Sequence, residues 1–133
     1  MRTSVMVAPI IPGLNDSEVP QLLSAASEAG ACSASYVLLR LPQAVRPVFL
    51  DWLERNYPLK RDHITSLIRA TREGKLNQSQ FGSRMRGSGE IAKQIRRTFK
   101  VFASKYGLNH EPQLLNTTMF RCPQPTSAQL RLF

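Results

Sequence analysis

Basic side chains are concentrated in one stretch of this chain. Of a formal net charge of +9, residues 84–106 carry seven basic groups and one acidic group, a net +6. Just before a predicted helix, Arg84 and Arg86 flank glycines, and free backbone N–H groups at a helix start can bind an anion. The spacing i, i+3, i+4, i+7 then places four more cations on one helix face: Lys93, Arg96, Arg97 and Lys100. These residues predict electrostatic binding of phosphate, as in a nucleic-acid backbone.

Two other interpretations of this basic face stay open. Such a face is most often a solvated helix face, and an acidic surface elsewhere in the same chain is a further alternative partner. No aromatic residue is interleaved on the face, so stacking of bases is not predicted. A non-catalytic nucleic-acid-binding module that uses the basic 84–105 segment, with DNA as a possible partner, is therefore the alternative function.

The second candidate site is the loop that follows the first predicted strand, Pro9-Ile10-Ile11-Pro12-Gly13-Leu14-Asn15-Asp16. Gly13 permits a positive φ and a close approach of the backbone to a ligand. The prolines stiffen the loop, so that a flat ring can stack on Ile11 without first ordering it. Asp16 is expected to cap the N–H groups of the next helix. The alternative is an ordinary stiff connection between a strand and a helix.

The remaining polar residues carry little chemistry. Cys32 and Cys122 are too few and too far apart for a disulfide framework or a metal site, and reduced thiols predict a cytoplasmic protein. His63 and His110 lack the spacing of metal ligands and are interpreted as surface residues. No stretch of about 18 apolar residues and no secretory signal is visible, so no membrane partner is expected.

Hydrophobic periodicity predicts an α/β fold with a helical extension. Residues 4–11 and 34–41 read as buried strands that flank a helix ending at Gly30, a βαβ unit with parallel strands. We divide the chain into a βαβ segment (1–42), a helical extension (43–110) and an extended C-terminal tail (111–133). The extension contains three predicted helices, with one apolar stripe at Val45, Val48, Phe49, Trp52, Leu53 and Tyr57, a cap at Asp62, and an inner stripe at Ile91, Ile95, Phe99 and Phe102.

The segment Val7–Asp16 resembles the fifth strand and following loop of radical S-adenosylmethionine enzymes. In that family a G-x-I-x-G-x-x-E pattern places an isoleucine against the adenine of the cofactor. Ile11 and Gly13 match that pattern in identity and Asp16 in chemistry, whereas Pro9 replaces the first glycine. The segment Tyr36–Pro42 is similar to the sixth strand, whose end lies beside the adenine edge.

Two later segments, Phe81–Gly87 and Gln129–Phe133, resemble the C-terminal part of the subgroup labelled DNA repair photolyase or spore photoproduct lyase-like. The resemblance implies the last two βα steps of a partial (β/α)6, TIM-type barrel. It also implies S-adenosylmethionine and a [4Fe–4S] cluster as cofactors of an intact relative, a lyase-like enzyme that cleaves this cofactor to a 5′-deoxyadenosyl radical. The cofactor-binding positions it assigns here are Ile11, Gly13, Leu39, Arg40 and Leu41.

The cluster of such enzymes is held by a C-x3-C-x2-C loop, which this chain lacks. We therefore expect a C-terminal fragment that contributes part of a cofactor pocket, with no catalytic residue, no stable cofactor binding and no activity of its own. Because two parallel strands leave open edges, we also expect self-association through the sheet, or coverage of one edge by the C-terminal tail.

Overall fold

The described part of the chain is a mixed α/β fold with two parallel strands and four α-helices. The computed structural model describes residues 2–77, 79–109 and 118–121. Short 3-10 turns at Asp16–Glu18 and Pro58–Lys60 precede two of the helices. The elements, in chain order, are β1 (Ser4–Ile10), α1 (Val19–Glu28), β2 (Ser33–Leu38), α2 (Arg46–Asn56), α3 (Arg61–Ala70) and α4 (Gly89–Lys105).

The predicted βαβ unit is confirmed, with β1 and β2 paired in parallel. The register runs from Ser4 opposite Ser33 to Val7 opposite Tyr36, then shifts before Ile10 meets Leu38. The shift spans Pro9, which has no N–H to donate to a ladder. The second strand ends at Leu38 and not at Leu41, so residues 39–41 lie in the connection that follows it.

The first core cluster lies between one face of the sheet and helices α1 and α4. This cluster contains Val7 and Leu38 from the strands, Leu23 from α1, and Leu108 from the loop after α4. Of the predicted inner stripe of α4, Ile95 and Phe99 are buried, whereas Ile91 and Phe102 are only partly buried. The fully packed stripe is Ala92, Ile95, Phe99 and Ala103.

The second core cluster lies beyond the carboxyl ends of the strands, where α2 and α3 pack on the loops. Its buried members are Leu41, Leu53, Ile64, Ile68 and Leu76. The predicted apolar stripe of α2 is mostly wrong as a core prediction, because Leu53 alone is buried in that helix. Val48 is 67% exposed and Trp52 is 40% exposed. At α3 the helix begins at Arg61, so Asp62 lies in the first turn and is not the cap.

The outer edge of β2 is covered at both ends. The Leu38 N–H donates to the Met85 carbonyl at 2.9 Å, and the Ala34 N–H donates to the Leu108 carbonyl at 2.9 Å. An isolated antiparallel bridge joins Ser33 to Asn109. The chain just before the predicted tail thus covers part of this edge, whereas the tail itself, residues 111–133, falls almost entirely outside the described residues. No helix in the described ranges has both the length and the hydropathy to cross a bilayer.

Candidate functional site

Two side chains fix the loop between β1 and α1. Asn15 Oδ1 accepts the Ile11 N–H at 2.7 Å, and Asn15 Nδ2 donates to the Pro9 carbonyl at 3.1 Å. The Asn15 carboxamide thus forms hydrogen bonds with two backbone groups at the end of β1. Asp16 Oδ1 accepts the Gly13 N–H at 3.0 Å. The predicted role of Asp16 as a helix cap is therefore wrong, since its carboxylate holds a loop N–H and the α1 start has no side-chain cap.

Gly13 is where the loop meets the helical extension. Its φ is +77°, and a Cβ there would lie 2.6 Å from Leu67 Cδ1 and 3.7 Å from His63 Cδ2. The close neighbours of this glycine are residues of α3, and the approach of a ligand to its backbone stays a prediction. His63, interpreted from the sequence as a surface residue, is exposed and lies over the loop.

The predicted cofactor-binding residues come together at the carboxyl end of the sheet, which we call the carboxyl-end site (Ile11, Gly13, Leu39, Arg40, Leu41). The Leu39 N–H donates to the Ile10 carbonyl at 2.9 Å, which joins the two segments directly. Ile11 and Leu39 are half-buried against the second core cluster, and Leu41 is completely buried in it. Arg40 is half-buried, with Nη1 4.0 Å from Met85 Sδ.

A buried arginine, Arg72, stabilises this site through hydrogen bonds. The sequence patterns do not predict its role. Arg72 is fully buried just after α3. Its Nη1 donates to the Arg84 carbonyl at 2.7 Å, and its Nη2 donates to the Leu39 and Leu38 carbonyls at 2.9 and 3.3 Å. Burial first, and then the positive charge of Arg40, lower the pKa of the Arg72 guanidinium. Nothing in the local sequence separates Arg72 from the exposed Arg69, because its partners come from distant segments.

Gly87 and Gly89, at the start of α4, allow this helix to pack closely against the end of α3. A Cβ on Gly87 would lie 2.9 Å from the Thr71 carbonyl oxygen, and one on Gly89 would lie 2.7 Å from the Ala70 carbonyl oxygen. The Ser88 N–H donates to the Thr71 carbonyl at 3.0 Å. The start of α4 therefore sits on the end of α3, so an N–H group that an anion was expected to use already has a carbonyl partner.

Arg84 and Arg86, predicted to act together, separate in the structure. The Arg84 guanidinium lies over the Phe81 ring, 5.2 Å from its centroid, on an exposed turn. The Arg86 guanidinium lies over the Tyr36 ring, 4.4 Å from its centroid, at the outer edge of β2. Cation–π contact holds each of them, but only Arg86 joins the basic residues of α4.

The basic face of α4 is divided in the same way. Lys93 pairs with Glu90 at 2.6 Å, and this hydrogen bond first, then the Lys93 charge, lowers the pKa of the Glu90 carboxyl. Arg96 and Lys100 line a cleft of about 250 Å³ together with Arg86. We call this the edge cleft, and its other lining residues are Ala34, Tyr36, Phe99, Ala103, Ser104, Leu108 and Asn109. Arg97 is exposed and does not line it.

The residues of the chain do not fit an iron–sulfur cluster. Three thiolates hold the [4Fe–4S] cluster of radical S-adenosylmethionine enzymes, and this sequence has two cysteines. Cys32 is a half-buried free thiol, while Cys122 and His110 fall outside the described residues. Within those residues, no group of three His, Cys, Asp or Glu side chains is placed to hold a metal ion.

Comparisons with known proteins add no relative. No protein-family model, no curated protein and no solved structure matches this chain.

Proposed function

We propose that this chain is the C-terminal part of a radical S-adenosylmethionine protein of the DNA repair photolyase-like subgroup. In this proposal β1 and β2 are the last two strands of a partial (β/α)6 barrel. The observation that carries it is the parallel strand pair, whose buried side chains face α1 and α4 on one side only. In a barrel of this type the helices cover the outer face of the strands, and the inner face belongs to the barrel interior.

The opposite face of the sheet is exposed along β1, as we expect for strands whose barrel neighbours lie elsewhere in the protein. Side chains alternate along a strand, and while Val7 is buried, its neighbours Met6 and Ala8 are exposed, Met6 by 59%. Ser35 Oγ donates to Met6 Sδ at 3.3 Å across this face. The free side of β1 also borders a shallow cavity of about 230 Å³ between residues 5–9 and Leu22. A preceding strand of the barrel would pair along this side of β1.

The carboxyl-end site supports the proposal by its position. Open α/β folds bind ligands beyond the carboxyl ends of their strands, and Ile11 and Leu39 meet there. Ile11 would offer an apolar surface to the adenine, and Leu39 and Arg40 would border its edge. Leu41 is buried, so it would act by supporting that edge. When bound, S-adenosylmethionine supplies a carbon-centred radical, and the cluster that triggers this must come from another part of the protein.

The first test is the DNA sequence immediately upstream of the Met1 codon. We expect an in-frame segment that encodes four preceding βα steps and a C-x3-C-x2-C loop after the first strand. The proposal is contradicted if the upstream sequence contains an in-frame stop codon and encodes no C-x3-C-x2-C loop.

The second test uses the protein encoded by that longer frame. Equilibrium dialysis with S-adenosylmethionine should show weaker binding for Ile11→Gln, by about tenfold, because a buried amide would replace an apolar contact. The matched control is Val48→Gln on α2, which changes a β-branched residue that is 67% exposed. Equal affinity in both variants, with unchanged circular dichroism, would remove Ile11 from the binding site.

The second candidate function, a nucleic-acid-binding module, rests on a separate observation. In the described part of the chain, Arg86, Arg96 and Lys100 form no ion pair. Binding of an oligonucleotide by these residues should weaken steeply with salt and fall in the variant Arg96→Glu, Lys100→Glu. Absence of binding at low salt would eliminate this function. DNA as the ligand, self-association through sheet edges and a cytoplasmic location all stay predictions.

A further inference from the structure

We infer that the edge cleft between β2 and α4 binds a phosphate group. The ligand's negative oxygens would be held by Arg86, Arg96 and Lys100, with the hydroxyl of Tyr36 as a fourth donor. This inference does not depend on the radical S-adenosylmethionine proposal, since the cleft lies at the outer edge of β2 and not at the carboxyl-end site.

The charged residues that line the edge cleft are all positive. Three of its ten lining residues are cationic and none is acidic. Arg96 and Lys100 are separated by four positions of α4, so their charges lie on one helix face and repel each other. The third cation, Arg86, comes from the turn before α4. An anion in the cleft would relieve this repulsion, which makes the three cations a better site together than separately.

The position of Arg86 is fixed before any ligand arrives. Its guanidinium lies 4.4 Å from the centroid of the Tyr36 ring, and the Met85 carbonyl next to it accepts the Leu38 N–H of β2. A guanidinium that lies over an aromatic face still has its in-plane N–H groups to offer. Those groups match two oxygens of one phosphate in a bidentate arrangement.

Tyr36 gives an independent indication of a missing partner. The residue is 2% exposed, lines the cleft, and packs on Phe99 with ring centroids 4.7 Å apart. Its hydroxyl is buried and has no hydrogen-bond partner among the described residues. Buried hydroxyls are rarely left unpaired in folded proteins, because each unmade hydrogen bond costs free energy. A phosphate oxygen would supply the acceptor.

The donor set favours phosphate over a carboxylate or a neutral ligand. Two guanidinium groups, one ammonium and one hydroxyl together offer more donors than the two oxygens of a carboxylate can accept. A phosphate presents three or four oxygens in a tetrahedral arrangement and up to two negative charges. The same group occurs as free phosphate, in a nucleotide, or in a nucleic-acid chain, and the chemistry of the cleft is common to all three.

The test is a titration of the whole chain at low ionic strength with three probes: inorganic phosphate, thymidine monophosphate and an eight-residue oligothymidylate. Binding is followed by calorimetry and by amide chemical shifts. We expect Arg96→Gln and Lys100→Gln each to weaken binding of inorganic phosphate about tenfold, since each removes a charged donor. Tyr36→Phe, which removes one hydroxyl, should weaken it about threefold.

The matched controls lie on the same helix outside the cleft. Arg97→Gln and Lys93→Gln remove the same charge from α4, and each should change phosphate affinity less than twofold. If these controls weaken binding as much as Arg96→Gln, the effect is one of net charge and the site is overturned. A chain that binds none of the three probes at millimolar concentration overturns it as well.

If a variant fails to fold, the amide chemical-shift changes that phosphate causes in the unmutated chain still test the inference. The largest changes should fall on Tyr36, Phe99 and Lys100, and changes centred on Lys93 or Arg97 would contradict the inference. Similar affinities for the first two probes identify an isolated phosphate group as the ligand. Much tighter binding of the oligothymidylate identifies a phosphodiester chain, and either result supports the cleft.

Discussion

Two arginine-containing regions of this protein differ in what surrounds the charge. At the carboxyl-end site, Arg72 is fully buried and donates to main-chain carbonyls of two other segments, the end of β2 and the turn before α4. At the edge cleft, Arg86 and Arg96 line an open space, and no acidic residue lines it with them. The first arginine joins β2, α3 and the turn before α4, whereas the second pair holds nothing together beyond one cation–π contact.

The difference shows how a structural cation is told from a binding one. A buried guanidinium is tolerated when carbonyl oxygens replace the water that it has lost, and it then fixes the geometry of their segments. Exposed cations that converge without partners add repulsion to the folded state, so they contribute little to its stability. The two regions should therefore respond in opposite ways to removal of charge.

The largest effect is expected from Arg72→Met. The apolar side chain would leave the carbonyls of Leu38, Leu39 and Arg84 buried without their donors. We expect the free energy of unfolding to fall by roughly 3–5 kcal/mol. Urea denaturation measures this. The control is Arg69→Met, an exposed arginine in the last turn of α3, for which less than about 0.5 kcal/mol is expected. A loss below about 1 kcal/mol for Arg72→Met would show that water can replace the guanidinium.

The next effect concerns Gly87, which lies between the two regions. Its φ is +70°, and an alanine Cβ would lie 2.8 Å from Leu38 Cδ1 and 2.9 Å from the Thr71 carbonyl oxygen. Gly87→Ala should lower the free energy of unfolding by about 3 kcal/mol, through backbone strain and overpacking together. Gly107→Ala has a similar φ of +68° with open space around it, so it should cost only about 1 kcal/mol. Equal losses in thermal unfolding would mean that the close packing does not matter.

A smaller effect of opposite sign is expected at the edge cleft. Lys100→Gln removes one member of the like-charged pair with Arg96, so it should raise the free energy of unfolding by about 0.3 kcal/mol at low salt. The gain should disappear at high salt, because the repulsion is screened. Melting temperatures at the two salt concentrations measure it. A loss of stability in this variant would indicate that Lys100 has a structural partner.

The smallest effect lies on the part of α4 outside the cleft. The Lys93 hydrogen bond keeps the pKa of the Glu90 carboxyl below its usual range. A carboxyl with a lowered pKa in the folded state stabilises it above the unfolded-state pKa, and this contribution is lost as the pH falls through the folded-state pKa. Side-chain carbon chemical shifts should show the low pKa of Glu90, and Lys93→Gln should raise it. An unchanged pKa in Lys93→Gln would mean that the pair does not form in solution.

Local patterns predicted the elements of this fold with fair accuracy. The strands predicted at residues 4–11 and 34–41 lie at Ser4–Ile10 and Ser33–Leu38, and their parallel pairing and the helix end near Gly30 follow from periodicity and turn residues. The errors fall where burial depends on a distant segment. Trp52 belongs to a regular apolar stripe and is nevertheless partly exposed, whereas Ala92 is buried because the glycines before α4 let that helix approach α3 closely.

By itself the sequence determined the α/β order of the chain, the concentration of positive charge in residues 84–106, and the convergence of Ile11 and Leu39 at one end of the sheet. These are properties of neighbouring residues, or of the one crossover that a βαβ unit allows. Only the tertiary structure decided that Arg72 would be buried, and that Arg86 would lie over the Tyr36 ring and line one cleft with Arg96. The physical reason is that desolvation and charge convergence depend on which segments meet in space, and periodicity does not record this.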